Sequence, residues 1–83
     1  MKLPATVVEE LRLAITPLDT ADNRDAYREG RYPGPEPRDL NMRYRWDLLN
    51  AAIPVSRVCE IYDLYVVNDS HIDTALRSIV PNL

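Results

Sequence analysis

Apolar residues recur along most of this chain at steps of three and four, the spacing that gathers them on one side of an α-helix. Val8, Leu11 and Ile15, with Val7 and Ala14 beside them, predict a helix over 4–16. Pro4 suits its first position, where a missing N–H costs nothing, and Pro17 closes it by disfavouring helical geometry at Thr16. A shorter helix is predicted over 20–29. Asp19 or Thr20 can cap it, and Gly30 follows where a left-handed terminator belongs. Its apolar content is thin (Ala21, Ala26 and Tyr27), so it should lie on the core as a peripheral helix.

Residues 31–38 break the pattern. Pro33, Pro35 and Pro37 alternate, which forbids helix and favours an extended, semi-rigid backbone. The widest apolar arc follows over 40–53, with Asp39 as cap. Met42, Trp46, Leu49 and Ile53 form one stripe, and Tyr44, Leu48 and Ala52 a second alongside it. A helix apolar over so wide an arc should be the central one. Pro54 marks a corner. A fourth helix is expected over 56–65, capped by Ser56, with Val58, Ile61, Tyr62 and Tyr65 on one face. Asn68 and Asp69 then form a turn. The last helix, 71–80, has Ser70 and Asp73 at capping-box spacing and buries Ile72, Ala75, Leu76, Ile79 and Val80 before Pro81. No stretch alternates convincingly with period two. The expected architecture is a compact all-α domain of four or five short helices spanning 1–83, with an ordered proline-rich loop at 30–39. The helix at 40–53 should pack against 4–16, 56–65 and 71–80.

Composition narrows the function classes. A chain of 83 residues leaves room for one domain. With only Gly30 and Gly34, and no Gly-Lys-Ser/Thr, dinucleotide-binding and P-loop motifs are excluded. The net charge of −3 removes the whole-chain basic footprint that phosphate binding requires, so nucleic acid is a disfavoured partner. The cations are nine Arg and one Lys, a bias suited to fixed, planar contacts. A single cysteine allows no internal disulfide and fits a reducing, cytoplasmic setting; neither a signal-peptide core nor a membrane-length apolar run is present. A domain this small should have modest stability, to which a partner or a second copy (a homodimer) would add.

The reactive side chains do not assemble into a site. A structural zinc needs about four ligands, and Cys59 and His71 are the only thiol and imidazole, so neither metal nor cofactor is expected. Cys59 reads as a small core filler and His71 as a surface residue or one at a helix start. Asp69, Ser70 and His71 are adjacent in sequence, which prevents the mutual hydrogen bonding of a catalytic triad, and Ser70 is explained as a cap. Asp63, Asp69 and Asp73 lack the spacing and central glycine of a calcium loop. A helix–corner–helix at 40–65 would offer DNA an apolar, acidic second helix. The chain is therefore not expected to be an enzyme.

The stretch from Arg31 to Trp46 combines arginine with aromatics, the composition of interfaces. Residues 24–45 hold six Arg against Asp25, Glu29, Glu36 and Asp39, a local charge of +2. Arg43 and Asp47 form an i,i+4 pair, and Trp46 belongs to the core. Arg31, Tyr32, Arg38, Arg43 and Arg45 are the candidate protein-binding residues, with the first three on the pre-ordered arm.

Met42-Arg43-Tyr44-Arg45-Trp46-Asp47-Leu48-Leu49, followed by Asn68-Asp69-Ser70-His71-Ile72-Asp73-Thr74-Ala75-Leu76-Arg77, resembles small orphan proteins of tailed bacteriophages and prophages. The Pro4 helix and the Tyr-Pro arm fit the same resemblance, which covers most of the chain. It implies a cytoplasmic protein of an infected bacterium that binds a host protein. Small acidic members of that group include anti-CRISPR and other anti-defence inhibitors, so a CRISPR effector is one partner it implies. It assigns no residue a role. The expected function is stoichiometric binding and steric occlusion of a host protein. The alternatives are a small nucleic-acid-binding regulator and a virion or assembly component.

Overall fold

A computed structural model of the chain describes residues 3–31 and 40–81. Among them are five helices and no strand: α1 (Ala5–Ile15), α2 (Ala21–Arg28), α3 (Leu40–Ala52), α4 (Val55–Tyr65) and α5 (Asp69–Ile79). The all-α architecture expected from the apolar spacing is the one observed. The proline run at 32–39, with the expected cap Asp39, lies outside the described residues.

The helix starts differ in detail from expectation. α1 and α4 both begin immediately after a proline, Pro4 and Pro54, at the N-cap position, and neither has a side-chain cap. Each proline's carbonyl instead accepts the first helical N–H groups, from Val7 and Val8 and from Arg57 and Val58. Ser56 therefore lies within the first turn of α4 rather than capping it. Thr20 does cap α2, its hydroxyl accepting from the Asn23 N–H at 3.1 Å. At α5 the cap is Asn68, whose side-chain oxygen accepts from the Ser70 N–H at 3.0 Å, so the helix starts two residues earlier than expected. Asn extended at N-cap offers its carbonyl to the next turn's N–H, a role the reading of Ser70 as cap had missed. Thr16, the C-cap of α1, keeps helical angles despite preceding Pro17, and the chain leaves the helix through a turn at 16–18.

All five helices contribute to the core, α2 through Tyr27 alone. Leu11, Ile15, Tyr44, Leu49, Ile61, Ile72, Leu76 and Val80 are essentially inaccessible. On α1 the buried line is Val7, Leu11 and Ile15, a strict four-residue step, with Val8 turned to the flank. α3 is central in that it packs on α1, α2 and α5, and α1 also packs on α5. α4, expected against α3, stands further off. Of its residues only Ile61 is buried, and it meets α3 through the stacked rings of Trp46 and Tyr62, whose centroids are 6.3 Å apart. Two large aromatic side chains between helices hold the backbones apart. Trp46 is accordingly half-buried, at the edge of the core.

A second link to α4 is ionic. The Arg57 guanidinium donates from Nε to Glu10 Oε2 at 2.7 Å and from Nη2 to Oε1 at 2.6 Å, bridging α4 to α1, while Nη1 reaches Glu60 at 2.6 Å. A fork-on-fork pair of this kind fixes orientation as well as distance.

Candidate binding surface

α2 carries little apolar surface, yet it is firmly located. Tyr27, its one buried residue, meets Tyr44 of α3 edge-to-face with centroids 5.0 Å apart. The Tyr27 hydroxyl donates to Asp47 at 2.7 Å, and the Tyr44 hydroxyl donates to Asp19, at the entry to α2. Arg24 and Arg43 complete the set, the first 3.8 Å from Asp19 and the second 3.6 Å from Asp47. Burial, with the Asp19 hydrogen bond and charge behind it, pushes the Tyr44 phenol far above its usual range, so it stays a donor at any physiological pH. Two tyrosines and two aspartates thus do for α2 what apolar residues do for the other helices. Beside them a shallow pocket of about 90 Å³ opens between α2 and α3, lined by Leu18, Asn23, Tyr27, Asp47, Leu48 and Ala51.

α2 ends in a Schellman turn. Gly30 takes the left-handed conformation (φ +70°), the Gly30 N–H bonds the Tyr27 carbonyl at 3.2 Å, and the Arg31 N–H bonds the Ala26 carbonyl at 2.9 Å. This fixes where the chain leaves α2. Arg31 is exposed there and pairs with Glu29 at 2.7 Å.

The five expected binding residues do not form one patch among the described residues. Tyr32 and Arg38 lie outside those residues. Arg43 is largely covered and faces Asp47, the i,i+4 pair read from the sequence. Arg45 is a correction: it is 4 % exposed, and its Nε donates to the Val80 carbonyl at 3.3 Å. Its position three and four residues before Leu48 and Leu49 puts it on the core arc of α3, a signal the sequence carried. It is no exposed anchor.

Cys59 is the second correction. Expected in the core, it is exposed on α4. Two residues before Ile61, it sits on the arc away from the buried line. His71 lies in the first turn of α5 with Nδ1 3.4 Å from both the Val67 N–H and the Tyr65 carbonyl, bracing the α4–α5 connection. Among the described residues no three His, Cys, Asp or Glu side chains gather into a metal-holding group. No helix there is long and apolar enough to cross a membrane.

The outer side of α4 was not singled out in the sequence. It and the residue beyond its end expose Val55 (73 %), Leu64 (61 %) and Val67 (76 %). Val55 and Leu64 are nine residues apart, about two and a half turns, so they edge opposite sides of the exposed arc. Cys59, Glu60 and Asp63 run between them. The result is an acidic ridge with apolar edges. Burial, and then the negative charge of Asp69, raise the Tyr62 phenol at the foot of this ridge.

No family model, curated protein or solved structure matches the chain.

Proposed function

We propose that this chain is a non-enzymatic binding protein that acts by covering a surface of a partner protein, with the outer side of α4 as its contact. One observation carries the reading. α4 is a well-formed helix that buries Ile61 fully, packs Val58, Tyr62 and Tyr65 part-way against the core, and offers Val55 and Leu64, with Val67 just beyond its end, to solvent on either side of Glu60 and Asp63. Large apolar groups on an ordered helix bind at little ordering cost, and flanking carboxylates favour a basic partner surface. The arginines support a protein rather than a nucleic-acid partner. Apart from Arg45, every described arginine has a carboxylate within 3.8 Å, which a phosphate would have to displace. The resemblance to small phage proteins points to a host protein, with a defence complex as the target and steric occlusion as the mechanism.

The test is affinity capture from bacterial lysate by the wild-type chain and by the double variant Leu64→Asp/Val67→Asp, both checked for native circular dichroism. The proposal expects a stoichiometric protein partner retained by the wild type and reduced at least tenfold by the variant. Equal retention by both would remove α4 from the contact, and capture of nucleic acid with a steep salt dependence would replace the reading altogether.

A further inference from the structure

Burying a guanidinium without a counter-charge is costly, and proteins meet that cost by pairing it. Every described arginine but one follows the rule, including residues far more exposed than Arg45. Arg45 is the most deeply placed of them, and its sole bond is the one from Nε to the Val80 carbonyl, 3.3 Å away at the end of α5. That bond, with the negative end of the α5 dipole, holds the guanidinium plane in place. Its two Nη groups are left over. The one side-chain polar atom among the described residues that is both sealed from solvent and unbonded is Asp73 Oδ1, so the Nη groups still communicate with water.

We infer that Arg45 is a receptor for a single carboxylate supplied from outside this chain, taken end-on by the two Nη groups. A fixed, partly desolvated guanidinium fork is matched in shape to two carboxylate oxygens, and its strength grows as water leaves the contact. The other cations are poor competitors for such a ligand because each already has a carboxylate. The inference does not depend on α4 being the contact surface: a carboxylate at Arg45 enters at the junction of α3 and the end of α5.

The experiment follows the arginine side-chain Nε–Hε signals of the ¹⁵N-labelled full chain at mildly acidic pH. Sodium acetate is added at constant ionic strength against sodium chloride, with inorganic phosphate in a parallel series. The Arg45 signal, protected by its bond to Val80, should move saturably over millimolar acetate, at least fivefold further than the signals of exposed Arg28 and Arg31. Acetate should outdo chloride. In Arg45→Gln the accompanying shift of the Val80 amide should vanish; if that variant does not fold, Arg45→Lys, which keeps the charge and loses the fork, should weaken the response at least fivefold. An Arg45 signal that moves no further than those of Arg28 and Arg31 would reduce the residue to a brace for α5 and overturn the inference. So would a signal that acetate leaves still because an internal carboxylate already fills the site. A response confined to phosphate would overturn the choice of carboxylate.

Discussion

Single side chains decide whether α2 stays in place. The Tyr44 hydroxyl donates to Asp19 from a buried ring, so Tyr44→Phe removes a charge-assisted bond and leaves Asp19 with Arg24 at 3.8 Å. The expected loss is about 1–3 kcal/mol, read by thermal or urea unfolding. For a domain of this size each kcal/mol lowers the melting temperature by about 4–8 °C. Tyr44 and Tyr62 both have phenols raised on folding, chiefly by burial. The unfolded chain therefore releases these protons first, and stability should fall as pH rises above about 10. Tyr44→Phe should flatten that alkaline limb. Of this network only the Arg43–Asp47 pair was legible in the sequence, because the tyrosine–aspartate bonds join residues twenty and twenty-five positions apart. Arg45 and Cys59 were legible and misjudged. Residue type suggested an exposed arginine and a buried cysteine, while the phase of each helix placed them the other way round. On a helix, position relative to the apolar line outweighs the habit of the residue.

At the scale of elements, apolar spacing located α1, α3, α4 and α5 to within a residue or two, and the cap residues with Gly30 located α2. Ends were harder. Two helices open on a proline carbonyl and one on Asn68, whereas sequence alone favours Ser56 and Ser70 as caps. The closeness of α4 to α3 could not be read either, since it depends on how Trp46 and Tyr62 stack. α4 is held instead by that stack, by Ile61 and by the Arg57–Glu10 fork. Hydrogen bonding to Arg57 keeps the Glu10 carboxyl below its ordinary range. A carboxyl depressed on folding lends stability above its unfolded value, and that contribution drains away as pH falls from about 4.5 towards its folded value. Acid unfolding of the wild type should therefore include a component that Arg57→Gln abolishes, seen as a flatter melting temperature between about pH 5 and 3. High salt should weaken it too, because the pair is only partly shielded. An unchanged acid slope in the variant would mean that α4 is held by its aromatic stack and Ile61 without help from the fork.

Over the whole molecule, the helices divide the work. α1, α3 and α5 form the packed centre, α2 is tied on by polar bonds, and α4 turns apolar and acidic groups outward. The candidate site inferred from the sequence centred on the Arg/Tyr-rich stretch beginning at Arg31. Of its residues, Arg31 is exposed but paired, Arg43 is paired and largely covered, and Arg45 is inside. The sequence already shows α4 as apolar and acidic, with Leu64 off the face of Val58, Ile61, Tyr62 and Tyr65; the exposure of Val55 and Val67 is set by where the neighbouring helices lie. On the proposed function, this ridge is where the molecule meets its partner. Hydrogen–deuterium exchange of the captured complex tests it most directly: amides over 55–67 should exchange at least tenfold more slowly than in the free chain, while those of the buried turns of α1 stay unchanged. Slowing confined to other segments, with 55–67 exchanging as in the free protein, would contradict it.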